Sequence, residues 1–145
     1  ACLADGRLTM AAGKSVFHRF ALKQKLALAR KMKAVGTLQE ELDRTTRVRD
    51  QLAEMAEGMT VPVGETTIRH LRSASWYGNQ VQEQLKTISN RAEFLSEEVE
   101  THRRDAAKTR HQYNMASDKS AAHDRDSRAA SEARAEAAMP PRRRG

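Results

Sequence analysis

The chain has 145 residues with 4 % aromatics, 39 % hydrophobics, 31 % charged residues and a formal net charge of +7. So few large apolar side chains argue against a globular core and for one domain of long, solvated helices. The lone Cys2 excludes an internal disulfide and fits a reducing, cytoplasmic setting, and no apolar run approaches the roughly 20 residues that span a bilayer.

Residues 1–14 are expected to be a flexible N-terminal segment. Residues 7–35 are basic and poor in acids, as a transit peptide is, yet their pattern runs unbroken into heptads. AAGKS at 11–15 is similar to the end of a phosphate-binding loop, but Leu8 stands where the first glycine belongs and no strand precedes it. A first helix is predicted over 15–57. Its apolar residues Phe17, Ala21, Leu28, Val35, Leu38, Leu42, Leu52 and Ala56 follow the seven-residue spacing of a coiled-coil seam. Phe20, Met32, Val48 and Met55 widen that stripe.

The segment GMTVPVG, residues 58–64, brackets Pro62 between two glycines and is read as the turn. A second helix is predicted over 65–138. Its seam reads Leu71, Ala74, Gly78, Val81, Leu85, Ile88, Ala92, Leu95 and Val99, then His102, Ala106, Thr109, Tyr113 and Ala116. Ser120, His123 and Ser127 occupy the next seam positions. Residues 139–145, with Pro140, Pro141 and Arg142 to Arg144, are expected to be a flexible basic tail. The fold class is therefore all-α, an antiparallel two-helix coiled-coil hairpin with a longer second helix.

A turn centred near Val61 and Pro62 pairs residues whose numbers sum to about 123. Leu28 then faces Leu95, Val35 faces Ile88, Leu38 faces Leu85, Leu42 faces Val81 and Leu52 faces Leu71. In the weaker layers Thr45 faces Gly78, Arg49 faces Ala74, Lys31 faces Ala92, and His102 lies opposite Ala21. Ser15 pairs near Lys108, which leaves the second helix overhanging from there.

Charge is segregated along the chain. Residues 1–35 hold eight Lys/Arg against one acid, 36–99 hold seven against eleven, and 100–145 hold eleven against seven. A hairpin gathers the two basic segments at the open end and leaves a mildly acidic shaft and tip. Lys14, Arg19, Lys23, Arg103 and Arg104 are the candidate docking residues of that basic end, for an acidic socket, a phosphate backbone or an anionic lipid surface. Trp76 falls at an outward position, a candidate partner contact on the shaft. Tyr77 beside it reads better as filling the gap left by Gly78 and Thr45.

No catalytic, cofactor-binding or metal-binding residues are singled out. His18, His70, His102, His111 and His123 show no i, i+4 pairing and have no cysteine to help them. No Ser/His/Asp set or glycine-rich cradle stands out, so the chain reads as a binding protein and not as an enzyme.

The heptad segment from Phe17 to Met55, the GMTVPVG turn and the longer segment from Leu71 through Ala116 into an alanine- and arginine-rich end resemble the flagellar export protein FliJ family and the YscO-type stalk proteins of injectisomes. The resemblance rests on architecture, size and charge. It implies a non-catalytic stalk in the cytoplasm, peripheral to a membrane-bound export apparatus. Its basic end would enter a hexameric export ATPase, and other surfaces would touch the export gate or substrate chaperones. Two alternatives stand beside it. A nucleic-acid binder would use the basic end, although aromatics are not interleaved with its cations. A self-associating scaffold would pair Phe20, Met32 and Met55 across a four-helix dimer.

Overall fold

The structure, a computed structural model, describes residues 15–59, 64 and 67–142. The expectations for residues 1–14, including Lys14, for most of the GMTVPVG turn and for Arg143 and Arg144 lie outside the described residues. Two helices are present, α1 over Val16–Gly58 and α2 over Ile68–Ala138, of 43 and 71 residues, and no strand occurs among the described residues. The chain is a two-helix hairpin whose second helix is the longer.

Local chemistry sets the helix ends. Ser15 caps α1: its Oγ accepts the backbone N–H of His18 at 3.2 Å, and its carbonyl accepts the same N–H at 2.9 Å. Thr67 does the same for α2, where Oγ1 accepts the N–H of His70 at 3.3 Å and the carbonyl accepts that of Leu71 at 3.0 Å. This cap moves the start of α2 from the predicted residue 65 to Ile68. The helix α1 ends at Gly58, and Pro140 and Pro141 follow the end of α2, where neither ring can continue a helix.

The chain divides into a terminal unit, Ala1–Arg30 with Ala106–Gly145, and a central unit, Lys31–Asp105. Each pairs a segment of α1 with one of α2. In the central unit the buried residues are Val35, Thr45, Val81, Ala92, Leu95 and Val99; in the terminal unit they are Ser15, Ala21, Ala106, Thr109, Ala116 and Ser120. Leu28, Leu38, Leu42, Leu52, Leu85 and Ile88 are half-buried. The heptad seam read from the sequence is thus the packed face, except at its ends, where Phe17, Leu71, His123 and Ser127 are exposed. Phe17 is 41 % exposed and Leu71 is 42 % exposed. The seam is thin, since two helices enclose a side chain on fewer sides than a layered core does. Its polar members are satisfied: Thr45 Oγ1 donates to the Glu41 carbonyl at 2.8 Å, and no buried side-chain N or O among the described residues lacks a partner.

The axial pairing differs from the mirror rule. In the central unit Lys31 Nζ meets Asp105 Oδ2 at 2.9 Å, Arg103 Nη2 donates to Gln39 Oε1 at 2.9 Å, and Arg91 pairs with Glu41. In the terminal unit Lys119 Nζ sits 5.5 Å from the ring centroid of Phe17. The residue numbers sum to 136, 142, 132 and 136, so the helices pair near 137 and not near 123. The offset is 14 residues, two whole heptads. A shift by whole heptads returns each seam residue to the same face, so the seam survives while its partners change. Leu42 comes level with Leu95, Thr45 with Ala92 and Leu52 with Leu85. The predicted pairs Leu28–Leu95, Val35–Ile88, Leu38–Leu85, Leu42–Val81 and Leu52–Leu71 are replaced, as are the layers assigned to Thr45, Arg49, Lys31 and His102.

This register explains both ends of α2. Residue 79 lies level with Gly58, the last residue of α1, so residues 68–78 have no α1 segment opposite them and Leu71 stays exposed. Val16 lies level with residue 121, so pairing continues well past Lys108. Tyr113 is half-buried and Ala116 and Ser120 are buried, whereas residues 123–138, including His123 and Ser127, are exposed.

Candidate docking surfaces

The terminal unit contains fifteen Lys/Arg against six Asp/Glu, and the central unit eleven against thirteen. By sequence the units therefore carry +9 and −2. Residues 15–30 of α1 contribute Arg19, Lys23, Lys25 and Arg30 with no acid among them. Arg19 and Lys23, two of the predicted docking cations, are exposed there.

Arg19 and Lys23 belong to the terminal unit, and Arg103 and Arg104 to the central unit. Both are also occupied: Arg103 donates to Gln39, and Arg104 Nε meets Glu100 Oε1 at 3.3 Å along its own helix. Exposed i, i+4 pairs of this kind contribute about 0.3–0.5 kcal/mol, enough to hold a rotamer and too little to anchor a fold.

Trp76 and Tyr77 lie on the first turns of α2, beyond the last residue of α1. Trp76 is 59 % and Tyr77 55 % exposed, and their rings meet edge to face at 5.1 Å and 81°. Tyr77 therefore does not fill a gap between Gly78 and Thr45. Thr45 is buried level with Ala92, and nothing lies within 4 Å of where a Gly78 Cβ would be. Ile68 and Leu71 are exposed on the same turns.

The flank residues Phe20, Met32, Val48 and Met55, read as widening the apolar stripe, are exposed beside the packed face. Other exposed apolar side chains went unremarked in the sequence: Leu22 and Leu26 at 55 % each, and Phe94. The heptad assignment alone places all three at outward positions, and that was the available signal. Two open grooves run beside the seam. One of about 570 Å³ in the central unit is lined by Leu42, Asp43, Thr46, Arg49, Ser96 and Glu97 among others, and one of about 260 Å³ in the terminal unit by His18, Ala21, Lys25, Tyr113, Ser120 and Asp124 among others.

Among the described residues no group of three or more His, Cys, Asp or Glu could hold a metal ion. His102 approaches Glu98 at 3.7 Å and His123 approaches Asp124 at 3.9 Å, each beside a single carboxylate. No described helix is long and apolar enough to cross a membrane. The chain matches no protein-family model, no curated protein and no solved structure.

Proposed function

We propose that this chain is a non-catalytic coiled-coil stalk of a flagellar-type protein export apparatus, and that its basic terminal unit docks into an export ATPase ring. The observation that carries the reading is the concentration of charge, +9 by sequence in the terminal unit of a hairpin with unequal helices. Long-range attraction toward an acidic socket follows from such a charge and is weakened by salt. Export-gate or chaperone proteins are the further partners of this proposal, at surfaces such as Trp76.

The test is capture of the ATPase from native cells by the full chain. Reversal of Lys14, Arg19 and Lys23 is expected to abolish capture, and reversal of Arg103 and Arg104 to leave most of it, because those two side chains are held by Gln39 and Glu100. Retention of the ATPase by the first variant overturns the docking end. Failure of the unaltered chain to capture any ATPase overturns the family reading.

The exposed Phe20, Met32, Val48 and Met55 favour a second reading, a self-associating scaffold that buries them between two hairpins. Solution mass separates the two, since a stable dimer at low micromolar concentration supports the scaffold and counts against a monomeric stalk.

A further inference from the structure

On residues 15–30 the face of α1 turned away from the seam is neither fully polar nor random. Leu22, Leu26 and Ala29 are exposed at i, i+4 and i+7, and successive steps of about 100° place them within roughly 60° of one another. Arg19, Lys23 and Arg30 follow one edge of this strip and Lys25 the other, all exposed. None of these cations forms an ion pair within 4.0 Å with a described residue. The groove adjoining Leu22 and Lys25 is lined by a single carboxylate among the described residues, Asp124 of α2.

We infer that this strip is a site for peripheral binding to an anionic lipid surface. Two aliphatic side chains can enter the boundary between headgroups and acyl chains, while the long stems of Arg19, Lys23, Lys25 and Arg30 hold their charges level with lipid phosphates on both sides. Each cation near such a surface strengthens binding about fivefold, so four compensate for a narrow apolar strip. The strip carries no aromatic on which a nucleic-acid base could stack. The site does not depend on the export ATPase: its readout is lipid, and it can fail or succeed whatever the ATPase capture shows.

Co-sedimentation of the full chain with vesicles of phosphatidylcholine, with and without about one-third phosphatidylglycerol, tests the inference. Binding is expected to the anionic vesicles and not to the neutral ones, and to weaken as salt rises. Arg19→Gln with Lys23→Gln is expected to weaken it roughly 25-fold, two cations at about fivefold each. Leu22→Gln with Leu26→Gln is expected to weaken it at least about tenfold without disturbing the seam, because both side chains are exposed and glutamine suits a helix. Arg44→Gln with Arg47→Gln, in the central unit, is expected to change it less than about twofold. Circular dichroism confirms that each variant stays helical. The inference is overturned by no preference for anionic vesicles, by binding indifferent to the leucine substitutions, or by equal loss from the central pair. It is overturned equally if duplex DNA or an acidic protein engages Leu22 and Leu26 while vesicles do not.

Discussion

Gly36 and Gly78 sit inside helices, and at both positions an added Cβ meets nothing within 4 Å. Glycine in a helix interior costs about 0.5–1 kcal/mol relative to alanine through backbone entropy. Gly36→Ala is therefore expected to stabilise the hairpin by about that amount, read as a raised midpoint in urea with an unchanged slope, whereas Gly78→Ala, on the unpaired first turns of α2, is expected to raise helicity there and to leave the midpoint nearly unchanged. Trp76 offers a different measurement. With 59 % of its surface exposed in the isolated chain, its emission should shift little on unfolding, and acrylamide should quench it almost as well before as after. A buried-type emission that reddens on unfolding would contradict the placement of this residue. Thr67 carries the cap that fixes the start of α2, so Thr67→Ala is expected to fray those unpaired first turns, read as a small loss of helical signal with little change in the midpoint.

At the scale of the two helices the question is register. Two cysteines within about 4.4–6.8 Å between Cα atoms can oxidise to a disulfide. With Cys2 replaced by serine, the pair Leu42→Cys and Leu95→Cys is expected to close within one chain, whereas the pair Leu42→Cys and Val81→Cys is not. Closure of the second pair would restore the tight-turn register near 123. Packing gives a related expectation. Leu95 is buried at 5 % exposure, and Leu95→Ala removes a contact from a seam only one layer deep, for a loss of about 2–3 kcal/mol. Leu71→Ala, two-fifths exposed beyond the end of α1, should cost under about 1 kcal/mol, below the range of buried leucines.

For the whole chain, the unpaired end of α2 is the informative part. Residues 123–138 are helical and exposed almost throughout, with no α1 residue level with them. A helix of this length without a packed face is marginal in water, where alanine propensity and spaced charges are its main support. Truncation after residue 122 is expected to lower the helical signal roughly in proportion to the residues removed and to leave the unfolding midpoint nearly unchanged. A large fall in midpoint would mean that this end packs against something in the folded chain.

Much of the architecture was legible. Sparse aromatics, the GMTVPVG interruption and the seven-residue period give two helices, their antiparallel order and the faces they bury, down to Val35, Val81, Leu95 and Val99. The cap at Thr67 was not read from the sequence, where the glycine–proline cluster drew the boundary to residue 65. Of the candidate docking cations, Arg19 and Lys23 are exposed in the terminal unit, while Arg103 and Arg104 belong to the central unit. Leu22 and Leu26 could have been found from the same heptads by asking which outward positions are apolar.

What the sequence alone determined is the seam, because a heptad repeat specifies which side of each helix turns inward. Only the tertiary structure decided the axial pairing, because that repeat is unchanged by a slide of seven or fourteen residues. The contacts that distinguish one slide from another are specific pairs between the helices, Arg91 with Glu41, Lys31 with Asp105 and Phe17 with Lys119. A slide of two heptads would carry each of these pairs about 21 Å apart along the helix axis.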